Sequence, residues 1–223
     1  MKASTLFLLF SLVTWSPPLP AEEPSKATYK KFAEDILIGK DNMVHRWSAN
    51  PTISLFNVKD GNGAAIFTAI VDQVNSAFAP HLELKPIGPG DNKADIKVVF
   101  CAPADYRKIA QSYGLKNLGH EDANGFSWYN PTHFVNRGLV MVTLDATITP
   151  EVSQRFALRA LLHTLGLIGT SKTSVESILD ESNSPNIELT AADRKLATFL
   201  YTHLPAGTPR ANFAKIFDKS WGP

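Results

Sequence analysis

Cys101 is the only cysteine in 223 residues. No internal disulfide can hold this chain, so its fold must rest on buried apolar side chains. The material for a core is present: 44% of residues are hydrophobic and 19% are charged, an ordinary globular balance. Cys101 closes the apolar run Ile96-Lys97-Val98-Val99-Phe100-Cys101, which reads as a buried strand ending in a structural thiol. A net charge of +1 supplies no basic field for nucleic acid or an anionic membrane. No Cys-x-x-Cys pair or Cys/His cluster offers a structural zinc site.

The N-terminus bears on compartment. Lys2 precedes an apolar run from Leu6 to Trp15, interrupted by Ser11 and Thr14. The run is about ten residues long, the length of a secretory h-region and well short of the roughly twenty a membrane span needs. Pro17, Pro18 and Pro20 follow, and Leu19 and Ala21 occupy the −3 and −1 positions of a peptidase site. Residues 1–21 therefore read as a cleavable signal peptide, 22–45 as an N-terminal helical segment, 46–217 as the main domain and 218–223 as a C-terminal tail. The expectation is an exported protein, periplasmic or secreted, with no membrane span.

Periodicity predicts the elements. Tyr29, Phe32, Ile36 and Leu37 lie on one helical face, which Gly39 ends. Ile53–Val58 reads as a strand, Asp60–Gly63 as a turn, and Ala64–Phe78 as a helix with Ile66, Ile70, Val74 and Phe78 along one side. Leu82–Leu84 is a short strand, Pro86–Asn92 a turn, Asp95–Cys101 a strand and Asp105–Gly114 a helix. Leu115–Arg137 shows no clear period and reads as a long surface segment with Phe126, Trp128 and Tyr129 partly tucked in. Gly138–Leu144 is a strand. Thr149-Pro150-Glu151 caps a helix running to about Leu167. Thr190-x-x-Asp193 opens a last long helix that Pro205 ends. The order predicts an α+β domain, a small mixed sheet with packed helices.

Recognisable chemistry concentrates in Arg159-Ala160-Leu161-Leu162-His163-Thr164-Leu165-Gly166-Leu167. An H-E-x-x-H helix places two imidazoles four residues apart on one face, with a glutamate as general base on zinc-bound water. The extended form adds a glycine and a third histidine. On that pattern the chain keeps His163 and Gly166. Arg159 stands in place of the first histidine, Ala160 in place of the base and Gly169 in place of the third ligand. Arginine stays cationic and repels a metal. Ser177-Ile178-Leu179 is similar to the turn beneath the metal in metzincins, and Leu189-Thr190-Ala191-Ala192-Asp193-Arg194 with Leu200-Tyr201 to the opening of their closing helix. With Leu165-Gly166-Leu167 and Pro205-Ala206-Gly207, these segments resemble a bacterial family of exported proteins of unknown function related to the zincin metallopeptidases.

The resemblance spans roughly Arg46 to Phe217 and implies a zincin-like fold with a degenerate active-site helix. It implies no catalytic residue, no bound metal and no cofactor; Arg159 reads equally as an exposed helix arginine or as a cation paired with Glu176 or Asp180 from the following turn. The function it suggests is a non-catalytic domain that binds a peptide, protein or envelope component. Two alternatives stand beside it: a hydrolase with a non-standard site, and an accessory subunit of an envelope complex that docks through Phe126–Tyr129. His120-Glu121-Asp122 and His133 lack recognisable ligand spacing and read as solvated loop.

Overall fold

In a computed structural model of the chain the described residues are 23–56, 61–116, 123–173, 175–180 and 186–222. The signal-peptide reading, His120-Glu121-Asp122 and the loop through Asn183–Pro185 lie outside them. The elements are α1 (Lys26–Leu37), β1 (Arg46–Trp47), β2 (Thr52–Phe56), α2 (Gly61–Phe78), β3 (Lys85–Pro86), β4 (Ile96–Cys101), α3 (Pro103–Ser112), β5 (Ala123–Tyr129), β6 (Phe134–Thr143), α4 (Pro150–Thr164), α5 (Ala191–His203) and α6 (Arg210–Ser220).

The strands form one sheet in the order β1-β6-β4-β2-β3, all parallel, with β5 added antiparallel to β6. Alternation sorts its two faces, because successive strand residues point opposite ways. Ile96, Val98 and Phe100 of β4 and Val140 and Val142 of β6 enter the main core with residues of α1, α2, α4, α5 and α6. Val99, Cys101, Leu139 and Met141 turn to the other face and pack with Tyr106 and Ala110 of α3. Helices therefore cover both faces, as a mostly parallel sheet requires. No helix among the described residues is long and apolar enough to cross a membrane.

Several expectations need correction. The segment read as irregular, Leu115–Arg137, contains β5 and the first residues of β6. Its seven β5 residues are half-buried or exposed, so neither face shows the clean apolar alternation that marks a strand, although Phe126, Trp128 and Tyr129 suit one. The short strand is Lys85–Pro86, not Leu82–Leu84, whose leucines are core residues. Helix α2 takes in Gly61–Gly63, and α4 ends at Thr164. An unpredicted helix, α6, runs to Ser220 and is followed by the buried Trp221, so the region read as a tail closes the core. There Phe199, Phe213, Phe217 and Trp221 pack ring to ring at 4.7–6.1 Å.

Candidate functional site

Helix α4 is fixed at both ends. The Thr149 side chain accepts from the Val152 N–H at its start. At its end the Leu162 carbonyl accepts from the Leu165 and Leu167 amides at 2.9 and 3.2 Å. Trp47 Nε1 donates to the Thr164 carbonyl and the Tyr201 hydroxyl to the Leu165 carbonyl, each at 2.8 Å, satisfying groups a helix end leaves open. Gly166 takes φ +98, and a Cβ there would sit 2.3 Å from the His45 carbonyl oxygen. Only glycine fits this corner. The zincin-pattern glycine thus has a plain local cause.

Ala160 and His163 lie against strand β5. A Cβ on Gly125 would lie 1.9 Å from the Ala160 carbonyl oxygen and 2.9 Å from His163 Cβ. Strand and helix are in direct backbone contact, with no space between them at this level. Ala160 is buried and Arg159 half-buried. His163 is part-exposed as a residue, yet its Nε2 is shut off from solvent and has no hydrogen-bond partner. The ring titrates as a buried group: desolvation pushes it down to about 4, the Arg159 guanidinium adds repulsion, and a hydrogen bond to the Gly169 backbone opposes both. His163 is neutral near pH 7. The helix residues do not fit a zinc ion, since they offer one imidazole faced by a fixed cation.

Gly169 is also a packing residue, because a Cβ there would meet the Asp35 carbonyl oxygen at 1.9 Å. Glu176 is exposed and accepts from Asn186 Nδ2 at 3.1 Å, while Asp180 is half-buried and bridged through its backbone to Ser171. The Ser177–Leu179 turn is held by Asp193 of α5. That buried carboxylate accepts from the Ser177 hydroxyl, the Ile178 amide (3.1 Å), and both the amide and the hydroxyl of Thr190 (2.9 Å each). One side chain therefore completes the α5 capping box and fixes the turn.

A second cluster lies at the far side of the Gly166 corner. His45 Nε2 is 3.0 Å from Asp41 Oδ1, and His133 Nδ1 is 3.7 Å from Asp41 Oδ2. His45 is 1% exposed, and its ring lies 3.9 Å from that of Tyr129. Burial works to raise the Asp41 pKa, but the His45 hydrogen bond and charge and the Met43 amide outweigh it, leaving the carboxyl below its ordinary value. His133, read from the sequence as solvated loop, sits in the β5–β6 hairpin and faces this pair. Asp41 and His45 carried no sequence signal of their own, because tertiary packing alone brings them to His133.

No known family's sequence profile matches the chain, and no curated protein matches it. Among solved structures it is similar to two of myroilysin. One gives a TM-score of 0.43 at 10% identity, covering 74% of this chain and 98% of that one. The other gives 0.41 at 11% identity, covering 81% and 97%. Such scores do not establish a shared fold.

Proposed function

We propose that this chain is an exported, non-catalytic, zincin-like domain that binds an extended peptide, or an exposed strand of an envelope protein, along the outer edge of β5. The observation carrying this reading is the placement of β5. It is an antiparallel strand that pairs, among the described residues, with β6 alone, and it rests on the backbone of α4 at Gly125. A supported strand with a free edge can accept an added strand through main-chain hydrogen bonds. The backbone contact leaves no room for a ligand between strand and helix at that point, so the added strand would lie outside β5.

Export rests on the Leu6–Trp15 run and the prolines that follow it. The absence of hydrolysis rests on Arg159, Ala160 and a neutral, buried His163. In this reading Arg159 is a fixed cation at the former metal position, paired with Glu176 or Asp180. The accessory-subunit alternative has less support: Tyr129 is 47% exposed, but Phe126 and Trp128 pack on the α3 face, with Arg137 lying 4.1 Å over the Trp128 ring.

Amide hydrogen exchange tests the proposal. A peptic digest of an unfolded protein, added in excess, should slow exchange across Ala123–Tyr129 more than across β2 or β4. Unchanged β5 exchange would remove the binding reading. Zinc-dependent cleavage of a quenched fluorescent peptide by the wild type, abolished in His163→Ala, would remove the non-catalytic one.

A further inference from the structure

Asp41, His45 and His133 place one carboxylate oxygen and two imidazole nitrogens within 4.8 Å of one another. We propose that they form a binding site for a first-row divalent transition metal of the zinc class. This inference does not rest on the peptide-binding reading and concerns a different part of the fold from Arg159 and Ala160.

The spacing suits such an ion. Ligand atoms about 2.0–2.1 Å from a tetrahedral centre lie about 3.3 Å apart. His45 Nε2 lies 3.0 Å from Asp41 Oδ1 and His133 Nδ1 lies 3.7 Å from Asp41 Oδ2, so each imidazole faces one oxygen of the same carboxylate near that separation, and contraction of the set from its 4.8 Å limit would bring all three residues onto one ion. Two nitrogen donors favour zinc, cobalt or nickel over magnesium and calcium, which take oxygen ligands.

The surroundings have the shape of a cradle. A Cβ on Gly39 would lie 2.8 Å from Asp41 Oδ1 and 3.2 Å from His45 Cδ2, and one on Gly207 would lie 3.0 Å from His133 Cδ2. Backbone alone fits against these side chains. Asn42 and His133 both hold φ +63, a conformation most side chains avoid; such positions concentrate at functional sites. His133 Nδ1 is shut off from solvent without a hydrogen-bond partner, although it faces Asp41. A metal ion would give that nitrogen a partner.

Access and affinity follow from burial. The His45 side chain is 2% exposed and forms the floor, while the Asp41 and His133 side chains are 32% and 28% exposed and form the rim. Three protein ligands on an open rim leave a fourth position for water or a substrate atom, as in reactive zinc sites. His45 Nδ1 has no hydrogen-bond partner, so the orienting contact usual for a ligating histidine is missing. That absence costs about 10- to 100-fold in affinity, so binding should be micromolar in strength.

The test is calorimetric titration of the full chain with zinc, alongside cobalt titration read by its d–d absorbance. The expected result is one ion per chain with a tetrahedral cobalt spectrum. His133→Asn, which keeps a residue tolerant of positive φ, should weaken binding by at least about 30-fold. Asp41→Asn should do the same and carries the test if the first variant does not fold cooperatively. His163→Ala should leave binding unchanged. Absence of stoichiometric binding, binding indifferent to both His133→Asn and Asp41→Asn, or binding lost in His163→Ala would each overturn the proposal. None of these results bears on exchange at β5, so the two readings can fail separately.

Discussion

Acidification from about pH 7.5 to about pH 4.5 should protonate His163 in the unfolded chain while leaving it neutral in the folded one. Its ordinary value is 6.5, and burial against α4 and β5 with Arg159 nearby brings it to about 4. The unfolded state therefore binds the extra proton across this window, and stability falls as the pH falls. The contribution is fully present above 6.5 and is lost as pH approaches the folded value. The loss accumulates below 6.5 until the folded ring begins to titrate and comes to roughly 2–3 kcal/mol by pH 4.5. His163→Gln removes the titration and keeps a similar volume. Urea unfolding of both proteins at the two pH values isolates the histidine, because every other group titrates equally in each. The wild type should lose roughly 2–3 kcal/mol more than the variant on acidification. Equal losses would refute the burial and charge argument. Arg159→Gln should raise the lower edge of this window and shrink the loss, since it removes one of the two causes of the depression.

Gly125→Ala should destabilise the domain by about 3 kcal/mol or more, because its Cβ would meet the rigid Ala160 carbonyl; thermal unfolding of this variant beside Gly88→Ala, whose Cβ would meet nothing within 4 Å, checks it. Cys101, whose thiol is pushed up to about 11 by burial and then by the Asp105 charge, should react with a disulfide reagent at pH 8 at least about a hundred times more slowly in the folded chain than in urea. Asp193→Ala should cost about 3 kcal/mol, since the Ser177 hydroxyl and the Ile178 and Thr190 amides all lose their acceptor; chemical denaturation measures it, and a loss below about 1 kcal/mol would show that water replaces the carboxylate.

What the sequence made legible depended on how local its cause was. Thr149 and Thr190 announce their helices because caps act within three residues. Strand β4 is legible because its apolar run is buried on both faces. Strand β5 was missed because it is half-covered on both faces and holds its place through β6 and α4. Helix α6 was missed because it starts without a side-chain cap and buries only Phe213 and Phe217. Arg159, Ala160 and His163 could be singled out from spacing along one helix. Asp41 and His45 are also four apart, but α1 ends at Leu37, so helical spacing does not explain their meeting. His133 reaches them only through the β5–β6 hairpin.

These differences bear on how substitutions along α4 combine. Ala160 is 2% exposed beneath a strand position that has no side chain, so the two small residues permit the contact jointly. A glutamate at 160 would need room that β5 occupies, and as a buried charge it would carry a desolvation penalty of several kcal/mol. Replacing Arg159 with histidine and Ala160 with glutamate would therefore supply ligand and base by type while the strand still sat against the helix. The small residue at 160 and the seating of β5 are one packing arrangement. Among the described residues β5 pairs with β6 alone, and beyond the Gly166 corner Asp41 and His133 form a half-exposed rim.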